Sequence, residues 1–214
     1  MDCDIFSPST NILLIRHADF HNKHLTGGWT DTNITDIGIQ QTEALAKKLS
    51  YETSIDVIIS STLKRAEETS RLLSDLLGVA RILENRVKTI NNGVLAWKTK
   101  QEARLMRIED KLSNPEFKID GGESLREFNE RIVTVFNELI SSYRHKTILI
   151  VTHGRVIQAI CNHLTGGNES INLKYGVYPT AIMNLWMYDN NSVVFNKVND
   201  TSHLPRNLLV SDLE

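Results

Sequence analysis

Three short apolar runs each lead directly into a cationic or titratable side chain. Residues 12–15 (Ile-Leu-Leu-Ile) run into Arg16-His17, and 57–59 lead through Ser60-Ser61-Thr62 to Arg65. Residues 147–151 lead through Thr152 to His153-Gly154. Guanidinium groups are permanently charged planar forks that bond the oxygens of a tetrahedral dianion in pairs. His153-Gly154 opens a helical pattern, and the backbone N–H groups at a helix start also favour an anion. In an open α/β sheet, ligands bind beyond the carboxyl ends of the strands, so Arg16, His17, Arg65 and His153 have one plausible destination. Each of them alone is equally readable as a surface residue at a strand end; their joint placement gives the pattern its weight.

The elements that must position them are legible. The three runs are apolar at consecutive positions and rich in β-branched residues, as in strands covered by helices on both faces of a parallel sheet. Residues 181–188 and 193–198, separated by Asp189-Asn-Asn-Ser192, read as a hairpin, which makes the sheet mixed. Thr35 can cap a helix running to about Leu49. Arg65 lies early in another that ends at Gly78. Ser124-Leu-Arg-Glu127 is a capping box. Behind it Leu125, Phe128, Ile132, Phe136, Leu139 and Tyr143 recur every three or four residues. Val156, Ile157, Ile160 and Leu164 mark a helix closed by Gly166-Gly167, and residues 99–112 read as a polar helix. The expected fold class is α/β: a three-layer α/β/α domain on a mostly parallel mixed sheet.

Composition narrows the function classes. Of 214 residues, 24 are Lys or Arg and 26 are Asp or Glu, a net charge of −2, so neither sign dominates enough to imply nucleic acid or an anionic membrane as partner. Cys3 and Cys161 are too few and too far apart for a disulfide framework or structural zinc site, which fits a reducing cytoplasm. The acidic start lacks the apolar stretch of a signal peptide, and no run approaches a membrane span. One domain over 1–214 is expected, with loose termini at 1–10 and 205–214.

Taken in order, the segments Leu14-Ile-Arg16-His17-Ala18, Gly28-Trp-Thr-Asp31, Ile34-Thr-Asp-Ile-Gly38-Ile-Gln40 and Ser60-Ser-Thr-Leu-Lys-Arg65-Ala-Glu-Glu-Thr69 resemble the histidine phosphatase superfamily, the phosphoglycerate-mutase-like fold. Gly121-Gly-Glu-Ser124, Val151-Thr-His153-Gly154 and Val198-Asn-Asp-Thr-Ser-His-Leu204 continue the resemblance, which covers about residues 11–204. It implies that His17 is the nucleophile and carries a transient phosphohistidine, that Arg16 and Arg65 clamp the phosphoryl oxygens, and that His153 is the second pocket histidine. It implies substrate contacts from Gly154, Trp29 and Asn22, and from Asp31 on the same loop. Gly122, Glu123 and Ser124 read as capping and loop support, and Asn199, Asp200 and His203 as closure of the pocket rim. The chemistry is consistent: a nucleophilic imidazole must present a neutral nitrogen, and two guanidiniums with a second imidazole supply the charge a metal would otherwise bring. No cofactor and no metal are expected.

The chain departs from the family pattern where the general acid should stand. Aligning Gly93 within Lys88-Thr-Ile-Asn-Asn-Gly93 puts Thr89 at the acid position, and a hydroxyl has no useful acidity near pH 7. Glu84, Glu102 and Asp19 are the alternative acids. Ala18 replaces the usual Gly. The expected activity is hydrolysis of a small phosphomonoester, weak or restricted to good leaving groups. A phosphorylated sugar, nucleotide, glycerate or ribazole is compatible. The alternatives are mutase-type phosphotransfer, for which the stretch from Arg65 to His153 looks short, and a non-catalytic phospholigand-binding protein. A metallohydrolase built on His17, Asp19, His21, His24 and His153 is a further reading.

Overall fold

The structure, a computed structural model, describes residues 8–108, 110–111, 114–167 and 176–210. The chain runs β1 (Thr10–Arg16), α1 (Asp36–Glu52), β2 (Val57–Ser60), α2 (Lys64–Leu77), β3 (Arg81–Leu83), α3 (Lys100–Leu105), α4 (Leu125–Ser142), β4 (Thr147–Thr152), α5 (Gly154–Leu164), β5 (Ile182–Met187) and β6 (Val193–Asp200). The sheet order is β3-β2-β4-β1-β5-β6. Strands β3, β2, β4 and β1 are parallel, and β5 runs antiparallel both to β1 and to its hairpin partner β6, giving the mixed sheet expected.

Successive side chains of a strand point to opposite faces, so a run that is apolar throughout needs cover on both. Ile12 and Leu14 of β1 join Phe128, Ile132 and Phe136 of α4 and Ile157 and Ile160 of α5 on one face. Leu13 and Ile15 join Leu45 and Leu49 of α1 and Leu73 of α2 on the other. Three layers result, with the sheet fully covered at β1 and β4.

The caps fall where the side chains allow. Thr35 Oγ1 accepts the Gly38 N–H at 3.0 Å. Ser124 and Glu127 form the reciprocal box at 3.2 and 3.0 Å. Gly78 ends α2 at φ 67°, a left-handed cap that a residue without a Cβ adopts at no steric cost.

Three expectations need correction. The polar helix foreseen over 99–112 is only the six residues of α3, because Arg107 turns to φ 48° and α3 has no buried face to extend it; residues 109 and 112 lie outside the described residues. Strand β3 was not foreseen: it is three residues long and on the sheet edge, too short for a hydrophobic pattern. The expected loose segments 1–10 and 205–214 include ordered residues. Thr10 is buried in β1, and Leu208 is buried with its carbonyl accepting from Gln41 Nε2 at 2.8 Å. Residues 1–7, including Cys3, and 211–214 lie outside the described residues. Among the described residues, no helix is long and apolar enough to cross a membrane.

Candidate active site

Strand register brings the sequence-distant residues together. Arg16 pairs with Thr152 across β1 and β4, and Ser60 with Val151 across β2 and β4, so the three strands end side by side. The next residues out are His17, His153 and Ser61. Backbone bonds continue the register beyond the strands: the His17 N–H reaches the Thr152 carbonyl at 2.8 Å, and the Ser61 N–H the Val151 carbonyl at 3.0 Å. Arg65 enters from the first turn of α2. Arg16, His17 and His153 are 0% exposed and Arg65 is 1% exposed.

His17 Nδ1 lies 2.8 Å from the carbonyl oxygen of Ala18. A carbonyl only accepts, so Nδ1 carries the proton and Nε2 carries the lone pair. Arg65 donates its Nε–H to that Nε2 at 3.1 Å. The remainder of the Arg65 fork is aimed by the loop after His17: NH1 donates to the Thr30 carbonyl and NH2 to the Gly28 carbonyl, both at 2.9 Å. The Phe20 ring meets His17 edge-on, 5.2 Å between centroids, and the Arg65 guanidinium lies 5.5 Å from the same ring.

Arg16 is set by the opposite rim. Its NH1 donates to the Val177 carbonyl at 2.6 Å, and its own carbonyl accepts the Thr180 N–H at 3.0 Å. The Thr180 hydroxyl is 3.1 Å from His203 Nε2, and Asn199 Oδ1 accepts the Tyr178 N–H at 3.0 Å. The C-terminal residues therefore hold the rim segment that holds Arg16. His153 completes the group: its ring is 5.2 Å from that of His17, and its Nε2 is 2.8 Å from Ser61 Oγ. Burial, and then the positive charge of Arg65, hold His153 well below the usual histidine range, so it is neutral. Two buried guanidiniums beside two neutral imidazoles form a cluster of positive sign whose donors suit a tetrahedral anion.

A family model described as the histidine phosphatase superfamily (branch 1) matches residues 12–201. The chain belongs to the histidine phosphatase superfamily. A "Putative phosphoserine phosphatase 2" of Hydrogenobacter thermophilus is 30% identical over 161 residues, covering 72% of this chain and 78% of that protein. A "2,3-bisphosphoglycerate-dependent phosphoglycerate mutase" of Allorhizobium ampelinum is 29% identical over 182 residues, covering 78% of this chain and 86% of that one. The crystal structure of a phosphoserine phosphatase of Entamoeba histolytica, in complex with 3-phosphoglyceric acid, superposes with a TM-score of 0.78. It is 24% identical, covering 92% of this chain and 100% of that one, and shares the phosphoglycerate-mutase-like fold.

Other residues singled out in this histidine phosphatase sort into those at the pocket and those elsewhere. Gly154 is buried at the start of α5 directly after His153. Trp29 joins two loops: its indole N–H donates to the Thr89 carbonyl at 2.9 Å, and Lys88 Nζ stands 4.3 Å over its ring. Asn22 is not among the four buried groups; it is exposed at φ 61° and lines a neighbouring cavity. Asp31 caps α2, accepting the Lys64 N–H at 2.7 Å, where Leu63 has no side chain able to do so. Glu123 accepts from Asn91 N–H at 2.8 Å and pairs with Arg131, which supports the acid-position loop through the Lys88 and Thr89 carbonyls at 3.0 and 3.4 Å.

The acid candidates separate on geometry. Glu84 is taken by Arg86, whose guanidinium holds its carboxyl below the usual range. Glu102 is half of an exposed capping box with Thr99. Asp19 Oδ2 accepts from Thr35 Oγ1 at 2.8 Å and Oδ1 pairs with Lys23, which ties it to the start of α1. Thr89 is buried, its backbone pinned by Trp29 and Arg131. Asp19 likewise is not gathered with His21 and His24: among the described residues, no group of three or more His, Cys, Asp or Glu could hold a metal ion. Sequence reasoning assigned no role to Ser61 or to the carbonyls of Gly28, Thr30 and Val177. Ser61 had a signal, its place directly after β2; the carbonyls had none, because every residue has one.

Proposed function

We propose that this chain is a phosphatase that hydrolyses a small phosphomonoester through a phosphohistidine on His17, without a metal. The observation that carries the reading is the tautomer of His17: Nδ1–H committed to the Ala18 carbonyl, Nε2 lone pair turned to Arg65. In the first step Nε2 attacks phosphorus and forms the N–P bond while the P–O bond to the leaving group breaks, the electron pair departing with that oxygen. Arg16, Arg65 and His153 hold the three equatorial oxygens, where charge is spread in the transition state. In the second step a water oxygen attacks phosphorus, the N–P bond breaks, its electron pair returns to Nε2, and the proton of the water passes to solvent. The relatives' names, phosphoserine phosphatase and phosphoglycerate mutase, support a small phosphorylated metabolite. The short Arg65-to-His153 stretch favours hydrolysis over mutase transfer. Thr89 at the acid position favours good leaving groups.

Rapid quench with a phosphorus-labelled ester tests the reading. The expected product is an acid-labile, base-stable phosphoprotein that His17→Ala abolishes; equal labelling of that variant overturns it. Turnover is expected to survive a strong chelator and to be inhibited by vanadate. Loss with chelator and rescue by one divalent ion would replace this reading with the metallohydrolase.

A further inference from the structure

Beside the buried group lies a cavity of about 600 Å3, lined by Trp97, Lys64, His21, Asn22 and Asn33 among others, a volume that accommodates a small molecule. Thr30 ties the buried group to this cavity's lining. Its carbonyl accepts from Arg65 NH1 at 2.9 Å on one side, and its hydroxyl accepts the Trp97 N–H at 2.9 Å on the other. Phe20 makes the second link: its ring abuts His17, and the next residue, His21, lines the cavity.

Trp97 is the unusual residue there. It is bulky, yet its backbone sits at φ 68°, where a Cβ is crowded and glycine is the easy choice. It is 56% exposed, so burial does not explain the choice. The flanking chain is tied down: the Lys98 carbonyl accepts from Thr26 N–H at 2.8 Å, Lys100 N–H reaches the His24 carbonyl at 3.0 Å, and Leu25 bridges Thr99. A strained backbone that displays a large ring at the mouth of a cavity points to a use for the ring.

We infer that Trp97 is a stacking platform for the leaving group, and that the substrate class is an aryl phosphomonoester. The inference rests on the phosphatase reading above. The phosphoryl group lies on His17, Arg16 and Arg65, and the aromatic ring lies in the cavity against the indole. The chemistry matches the acid position. When Nε2 attacks, the P–O(aryl) bond breaks and the electron pair leaves on a phenolate, which is stable enough to depart without a proton. Thr89 need supply none.

Phosphonates separate binding from turnover because their P–C bond is not hydrolysed. Calorimetric titration with phenylphosphonate and methylphosphonate is the test, on the wild-type protein and on Trp97→Gly. Glycine is suited to φ 68°, and an unchanged thermal midpoint verifies that the variant is folded. Phenylphosphonate is expected to bind the wild type roughly five- to ten-fold tighter than methylphosphonate, the size of one aromatic pair. In Trp97→Gly that ratio is expected to fall to about one, with methylphosphonate affinity unchanged. Equal affinities in the wild type, or a ratio that survives the substitution, would overturn the platform. Phenyl phosphate turnover serves as the second arm. Trp97-dependent binding without turnover leaves the platform standing and overturns the phosphatase reading. Turnover indifferent to Trp97, with no phenyl preference in binding, overturns the platform and leaves the phosphatase reading standing.

Discussion

Arg65 donates its Nε–H to Nε2 of His17 across 3.1 Å, so in the proposed mechanism the cation that would receive the phosphate also guards the lone pair that would attack it. A proton on Nε2 would set two donors face to face, so the arrangement favours the neutral imidazole with its lone pair on Nε2. The Gly28 and Thr30 carbonyls hold the guanidinium plane from the far side.

Arg65→Lys retains the charge and loses the fork. An ammonium cannot engage His17, Thr30 and Gly28 in one plane, and kcat/KM is expected to fall by roughly 2–3 kcal/mol in transition-state binding. A variant with wild-type kcat/KM would remove Arg65 from the reaction.

Acid sensitivity of the fold is the second prediction. Burial lowers His153 well below the usual value and pushes His203 down to about 4. Both are neutral in the fold and protonate near 6.5 in the unfolded chain, which therefore binds more protons below that pH. Stability is full above about pH 6.5 and is lost progressively as pH falls toward 4. Urea midpoints measured from pH 7 to 4 are expected to drop less steeply in His203→Gln, which has no proton to gain. An identical slope in the variant would show that His203 does not contribute.

Thr89 predicts a steep dependence of rate on leaving-group pKa, with aryl phosphates turned over much faster than alkyl phosphates. Thr89→Glu is expected to flatten that slope and raise the alkyl rate by about 10²–10⁴-fold. A shallow wild-type slope would mean that a carboxylate such as Asp19 reaches the leaving group after all.

Gly93 is predicted to be indispensable for stability. At φ 50°, a Cβ there would lie 2.0 Å from the Asp120 carbonyl oxygen and 2.6 Å from Gly122 N, both backbone atoms of the turn ahead of α4. Gly93→Ala is expected to destabilise by about 2–4 kcal/mol, from overpacking and the left-handed backbone together. A thermal midpoint within a degree of wild type would show that the 119–122 turn yields freely.

Much of this was legible in the chain itself, because the signals are local. Runs apolar on every residue specify strands covered on both faces, and Ser124 with Glu127 specifies a helix start from four adjacent positions. The order of strand ends put Arg16, His17, Arg65 and His153 at the carboxyl end of the parallel strands. Tertiary structure decided what depends on partners remote in sequence. Arg16 is aimed by Val177, 161 positions away, and His153 meets Ser61, 92 positions away. Glu84 and Glu102 are chemically suited to be acids, but the carboxylate of each is held by a close neighbour, Arg86 or Thr99. Which nitrogen of His17 carries the lone pair depends on where the Ala18 carbonyl points, a backbone angle that no residue type dictates. Periodicity and caps act over one or two turns of chain, whereas a hydrogen bond across the pocket exists only once both layers have closed on the sheet.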